Sequence, residues 1–259
     1  MLLTHVLGGA RIDLYANAGR IASDMELSTL RGLVRRALQH EPVQYIVGNA
    51  WFFGMEFQVN QSTLIPRTCT ERLVEQVIAF CNDNVSGQPR IADICTGSGC
   101  IAVTLAANVS GASIVATDIS NDALTLAGAN ASNHGVEPQL TFLEGDGITP
   151  ILGLEQFDIV CSNPPYISDL EMQVLPKHIA NWEPKLALSG GSDGMEVASD
   201  IILSASKVLK SQGLLLVEVS PSTQEHAMTI ALSTSDLQEI KILKDAFGDD
   251  RFLRAIRSP

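Results

Sequence analysis

The sequence predicts an α/β chain: a seven-stranded, mostly parallel sheet covered by helices, preceded by a small helical region and a β-hairpin. Three observations carry that prediction. From residue 90 onward, short β-branched runs alternate with helix-length segments, the rhythm of βαβ crossovers with helices on both faces of a sheet. The first strand of the series ends in a glycine-rich turn, Gly97-Ser98-Gly99, that opens a helix. The fourth ends in Asn163-Pro164-Pro165-Tyr166. Proline cannot donate to a strand ladder, so this is a stiff turn at a strand's C-terminal end, where open α/β sheets hold their ligands.

Taken in order, residues 1 to 40 read as helical. Leu27, Leu30, Leu33, Val34, Ala37 and Leu38 recur at helical spacing, with Ser23 or Asp24 as the cap. Glu41-Pro42 ends that helix. Residues 43 to 60 are rich in β-branched and aromatic residues, with Gly48-Asn49 and Gly54 as turn signals, and read as a β-hairpin. A helix over 70–80 follows, and Ser86-Gly87-Gln88-Pro89 punctuates the chain. Strands are expected at 90–95, 113–118, 140–144, 157–162, 213–219, 238–243 and 251–257, and helices at 100–109, 121–133, 195–209 and 223–232. The last two strands have no helix pattern between them, so they are expected to pair antiparallel at one edge of the sheet.

A length of 259 residues, 46% of them hydrophobic, allows one large α/β domain plus a small appendage. The division expected is 1–65 for the helical and hairpin region and 66–259 for the α/β domain. No apolar run approaches ~18 residues, so no membrane span is expected. The start, MLLTHVLGGARIDLY, lacks the features of a signal peptide. Five cysteines (69, 81, 95, 100 and 161) are scattered, without metal spacing. They read as free thiols in a reducing cytosol, and the expected location is cytoplasmic. The net charge of −12 lies entirely beyond residue 65, and no Lys or Arg occurs between Arg90 and Lys177 while ten acids do. Phosphate backbones need cations, so no nucleic-acid partner is expected, nor a membrane. A monomer is expected.

Gly97 and Gly99 let the chain turn tightly and let a ligand touch backbone, and the next helix offers free N–H groups. Asp118 ends the second strand 19 residues after Gly99, the spacing at which an acid reaches a ribose hydroxyl. A nucleoside-containing cofactor is therefore expected. Gly97-Ser98-Gly99-Cys100-Ile101-Ala102 also fits the dinucleotide fingerprint. Two features oppose a dinucleotide: no evident use for the Asn-Pro-Pro-Tyr turn, and no catalytic His or Lys at a later strand end. S-adenosylmethionine has ribose and adenine but no pyrophosphate, so a glycine turn and an acid suffice. Asp146, after the third strand, can meet the adenine amine.

These residues resemble a family. Residues 93–99, DICTGSG, with Asp118 and NPPY (163–166), look like class I S-adenosylmethionine methyltransferases acting on a planar amino group. EPVQYIVG (41–48), WFFGMEF (51–57), LIPR (64–67), EPKLALSGGSDGME (183–196) and GLLLVEV (213–219) narrow this to the peptide chain release factor glutamine methyltransferases, the HemK type. The resemblance runs from about Leu2 to the C-terminus. NPPY alone is shared with adenine-N6 DNA methyltransferases; the order of the other motifs is more specific. The resemblance implies a Rossmann-like methyltransferase domain. It implies cofactor contacts from Asp93, Cys95, Thr96, Gly97, Ser98, Gly99, Asp118, Ile119, Asp146, Gly147 and Asn163. It implies substrate contacts from Arg67, Asn163, Pro164, Pro165 and Tyr166. It also implies a substrate-recognition role for residues 1–65, with a release factor gripped around its Gly-Gly-Gln loop by the N-terminal helices and hairpin.

The alternatives are the same amide or amine methylation on a different protein or a small molecule, and a degenerate cofactor fold acting as a non-enzymatic binding partner. The chemistry suits the glutamine assignment. A glutamine amide is a poor nucleophile because its lone pair is delocalised into the carbonyl. An enzyme helps by accepting both N–H bonds and aiming the lone pair at the methyl. The Asn163 side-chain carbonyl and the Pro164 backbone carbonyl are the expected acceptors, and Tyr166 is expected to lie against the amide plane. Catalysis is then positioning and electrostatics. Several positions depart from the family pattern. Cys95 replaces the glycine that opens the turn, and is expected to crowd the cofactor. Thr68-Cys69 replaces Pro-Glu, Gly147 replaces a bulky residue over the adenine, and Val219-Ser220 replaces Ile-Gly after Glu218. The chain also starts later than family members usually do, which implies a missing first helix.

Overall fold

The computed structural model describes residues 1–259. The helical N-terminal stretch is three helices, α1 (Leu2–Leu7), α2 (Arg11–Ala16) and α3 (Asp24–Leu38), and none of them buries a residue completely. Ser23 caps α3 through a capping box, its hydroxyl accepting from Glu26 N–H while the Glu26 carboxylate accepts from Ser23 N–H at 2.8 Å.

The expected hairpin over 43–60 is only partly right. Val43–Val47 forms a short helix, α4, entered at Pro42 and closed by Gly48 at φ +81°. Burial decides against the β-branched composition: α4 buries Tyr45 and Ile46, and the Tyr45 hydroxyl donates to the Thr63 carbonyl at 2.6 Å. The hairpin proper is β1 (Asn49–Phe52) and β2 (Met55–Gln58), paired antiparallel around Phe53-Gly54. Its inner residues Phe52 and Phe57 belong to the core on one face of the main sheet. Asn130 pins β2 there, accepting from Gln58 N–H at 2.8 Å and donating to the Gln58 carbonyl at 3.0 Å.

A 3₁₀ turn over Thr68–Thr70 leads into α5 (Glu71–Asn84). The alternating series then follows: β3 (Arg90–Ile94), α6 (Cys100–Asn108), β4 (Ser113–Asp118), α7 (Asn121–Asn133), β5 (Leu140–Glu144) and β6 (Phe157–Ser162). After two single-turn helices, α8 (Asp169–Met172) and α9 (Lys177–Ala180), come α10 (Glu196–Ser204), β7 (Leu209–Glu218), α11 (Gln224–Ser233), β8 (Leu237–Lys244) and β9 (Asp250–Arg257). The helix expected over 195–209 is shorter, because a 3₁₀ turn at Ala205–Lys207 ends it and β7 begins at Leu209.

The seven strands run in the order β5-β4-β3-β6-β7-β9-β8. The first five are parallel; β9 pairs antiparallel with both β7 and β8. The chain order reverses beside β3, so the crevice between β3 and β6 is the switch point at which such sheets bind ligands. Two apolar cores cover the faces. One is built from α5, α6 and the hairpin, the other from α10, α11 and the 3₁₀ turn at Thr149–Ile151. Cysteines 69, 81, 95, 100 and 161 are all free thiols. No helix is long and apolar enough to cross a membrane.

Candidate active site

The carboxyl ends of β3, β4, β5 and β6 open onto one cavity of about 260 Å³. The segment after β2 and residues 184–189 form its outer wall.

The glycine turn is the floor. Thr96 donates its hydroxyl to Asp93 Oδ2 at 2.6 Å and its N–H to the Thr117 carbonyl at 2.9 Å. Cys95, Thr96, Gly97 and Ser98 face the cavity. Gly97 sits at φ +55°, and a Cβ added there would meet nothing within 4 Å, so its open side belongs to the cavity. Gly99 does other work. A Cβ there would lie 2.9 Å from Ala127 Cβ, so this glycine lets α6 pack on α7 and does not line the cavity. Asp93, expected as a contact, lies beneath the turn, fully buried, with Oδ1 unpartnered. Burial pushes its pKa up to about 7, against the Thr96 hydrogen bond that favours the charge. Cys95 keeps the left-handed backbone of a glycine, φ +60°, with its side chain in the wall.

Asp118, at the end of β4, accepts from Gly97 N–H through Oδ2 (2.8 Å) and from Ser120 N–H through Oδ1 (2.9 Å). The carboxylate thus braces the turn, and each oxygen keeps a lone pair for a further donor. Burial raises its pKa, opposed by these backbone bonds. Ile119 and, after β5, Asp146 and Gly147 complete this side. A Cβ at Gly147 would also meet nothing, so no side chain covers that part of the cavity.

The turn after β6 is braced on its outer side. Cβ atoms at Gly190 and Gly194 would come within 2.8 Å of the Pro165 carbonyl oxygen and 2.5 Å of the Tyr166 carbonyl oxygen. Only glycines let residues 190–194 press against it. Ile167 N–H donates to Leu188 O, and Gly190 N–H to Ile167 O, both at 2.9 Å. Asn163 and Pro165 reach the cavity wall; Pro164 and Tyr166 do not. Tyr166 points back into the protein, its hydroxyl 3.4 Å from Glu218 Oε1. The expectation that Tyr166 lies against a substrate amide gives way, in this conformation, to that buried partner. Burial and the Glu218 charge push the Tyr166 pKa up. Arg67 does line the cavity, but it is already paired. Its Nη2 donates to Glu183 Oε1 at 2.5 Å, while Glu183 Oε2 accepts from Ile65 N–H at 3.2 Å. The buried Glu183 thereby ties LIPR to EPKLAL.

Sequence reasoning missed Thr70. It is buried, lines the cavity, and its Oγ1 accepts from Asn163 Nδ2 at 3.2 Å. Glu218 was noted only for its neighbours, yet it lies fully buried behind Thr70 and Tyr166 with its pKa pushed by burial up to about 7. No local pattern marks either residue; each acts on a residue many positions away.

Residues 76–192 match the model of the methyltransferase small domain, and residues 1–48 match that of the PrmC N-terminal domain. The chain is 40% identical over 259 residues to the release factor glutamine methyltransferase of Nitratidesulfovibrio vulgaris, covering 100% of this chain and 87% of that protein. It is 33% identical over 211 residues to the ribosomal protein uL3 glutamine methyltransferase of Francisella tularensis, covering 82% and 67%. Among solved structures, a methyltransferase from Pyrococcus furiosus superposes with a TM-score of 0.58 at 16% identity, covering 90% of this chain and 99% of that one. That likeness is one of fold.

Proposed function

This chain belongs to the release factor glutamine methyltransferase family, and from that premise we propose that it methylates the side-chain amide nitrogen of a glutamine in a peptide chain release factor, within its Gly-Gly-Gln loop. The methyl donor is S-adenosylmethionine, which when bound supplies an electrophilic methyl group on its sulfonium. The residues present suit it. Asp118 has a spare lone pair on each oxygen for two ribose hydroxyls. Gly97 leaves room for close approach, and Asp146 and Gly147 line the same cavity, where they can meet the adenine.

The observation that carries the reading is the orientation of Asn163. Its amide nitrogen is committed to Thr70, which leaves its carbonyl oxygen as the acceptor at the cavity. An acceptor there takes one N–H of the incoming glutamine and turns the nitrogen lone pair toward the donor. Pro164, expected as the second acceptor, lies off the cavity wall, so Asn163 alone carries the acceptor role here, on a turn held by the brace of residues 190–194 on the Pro165 and Tyr166 carbonyls. Arg67, fixed by Glu183, shapes the entrance for the substrate backbone. Residues 1–65 carry recognition of the protein substrate. The stretch without Lys or Arg between 90 and 177 supports a protein over a nucleic acid as that substrate.

The test is mass spectrometry of a release factor incubated with this protein and S-adenosylmethionine. One methyl group on the Gly-Gly-Gln glutamine is the expected result. Ribosomal protein uL3 belongs in the same assay, because the relative from Francisella tularensis is named for it. Methylation of uL3 alone would move the substrate and leave the chemistry. Asn163→Ala is expected to slow transfer ~100-fold or more, the usual effect of one preorganised hydrogen bond, with cofactor affinity kept. Transfer at the parent rate would overturn the assignment of Asn163.

A further inference from the structure

We propose that Thr70 is a positioning residue that fixes which end of the Asn163 amide faces the substrate, and that Glu218 sets the direction of the Thr70 proton. The inference rests on the reading of Asn163 given above and explains how a side chain with two nearly isosteric ends presents only one.

The argument is one of donors and acceptors. A threonine hydroxyl has one proton and two lone pairs, an ionised carboxylate only accepts, and an asparagine amide can do either according to how it is turned. Thr70 is buried, with its Oγ1 3.2 Å from Asn163 Nδ2. Behind it, at the end of β7, stands Glu218, fully buried. Tyr166 donates toward Glu218 Oε1 at 3.4 Å, and the buried Oε2 carries no hydrogen bond. The Thr70 hydroxyl interacts with this carboxylate and favours its charged form. A Thr70 proton turned toward Glu218 serves a buried carboxylate that is otherwise underfilled. The hydroxyl then shows Asn163 only lone pairs, and only the amide nitrogen satisfies them. Turned the other way, Asn163 would set oxygen against lone pairs at Thr70 and offer N–H to the substrate's own N–H. Both contacts would be lost together, and an unsatisfied buried polar atom is costly.

The other groups facing Glu218 adjust this balance. Arg251, on β9, and the Tyr166 hydroxyl favour its charged form, while Asp245 opposes it. Burial, and after it the Glu218 charge, push the Cys69 thiol pKa up.

The test is Thr70→Val, which keeps the shape and removes the hydroxyl. With a verified protein substrate, kcat is expected to fall roughly tenfold or more, the order of a lost oriented hydrogen bond, while calorimetry shows S-adenosylmethionine affinity within about twofold of the parent. Thr70→Ser restores the hydroxyl and recovers most of the rate. The double variant Thr70→Val/Asn163→Ala is expected to be no slower than Asn163→Ala alone, because Thr70 acts only through Asn163. Glu218→Gln keeps an acceptor for the Thr70 proton. It is expected to retain much of the rate. Parent-rate transfer by Thr70→Val overturns the inference while Asn163→Ala remains slow. So does a double variant whose losses multiply. If Thr70→Val also loses cofactor binding, the residue serves the fold and the inference fails. If Asn163→Ala itself transfers at the parent rate, the reading beneath falls too.

Discussion

Replacing Cys95 by glycine sets three effects of similar size against one another. Cys95 holds φ +60°, a left-handed backbone that costs a side-chain-bearing residue about 1–2 kcal/mol. Glycine removes that strain. Against this, glycine loses about 0.4–1 kcal/mol by giving the unfolded chain more freedom. Its side chain also packs partly against the core on the α10–α11 face, worth about 1 kcal/mol for so small a group. The sum lies within about 1 kcal/mol of zero, so stability is not where the substitution shows. The cavity is. The Cys95 side chain lines the wall above the turn, and burial holds its thiol protonated, so it offers a ligand bulk without charge. Cys95→Gly is expected to tighten S-adenosylmethionine binding by ~3- to 10-fold, about 0.7–1.4 kcal/mol. Calorimetry reads this, and a melting curve should move by only a few degrees. Unchanged or weaker binding at an unchanged melting temperature would show that the turn has adapted to its cysteine.

The other expectations concern charge. Asp118→Ala should weaken cofactor binding by ~2 kcal/mol or more, some 30-fold in Kd. It should also lower the melting temperature, because Gly97 and Ser120 lose their acceptor. Calorimetry at parent affinity would remove Asp118 from the cofactor site. Asp93 and Glu218 are fully buried, with pKa values pushed from 3.8 and 4.5 up to about 7. Between about pH 4 and pH 7 the folded state keeps protons that the unfolded chain has released. These two groups therefore subtract stability as pH rises through that window, with the full penalty above pH 7. Glu218→Gln should melt progressively higher than the parent as pH goes from 5 to 8; a gap that stays constant would place Glu218's ionisation outside this range.

The sheet was legible because its strands are apolar runs bounded by turn residues, and those signals are local. The same holds for Gly97, Asp118 and Asn163, each at a strand end, where spacing alone predicts a place in the crevice. Local signals misled where packing decided. The β-branched composition of VQYIV suggests a strand, but Pro42 and Gly48 bracket it as a helix. The glycine motif could not tell Gly97, which faces the cavity, from Gly99, which faces Ala127. Aromatic chemistry assigned Tyr166 to the substrate side; the buried Glu218 pulls it the other way. The pairs that hold the site rigid, Arg67 with Glu183, Thr70 with Asn163 and Tyr166 with Glu218, join segments far apart in the chain. Nothing near either partner announces them.

The place of β9 governs when the molecule can become itself. β9 follows β7 and β8 in the chain, yet it lies between them and is the only neighbour β8 has in the sheet. It also carries Arg251, whose charge reaches Glu218 and Tyr166. A nascent chain stopped short of residue 250 can close the five parallel strands, but it leaves β7 with a bare apolar edge and β8 unpaired, the state in which strands seek partners on other chains. The interior of the site waits on the same residues. Until β9 has been made, neither the edge of the sheet nor the interior of the site can close.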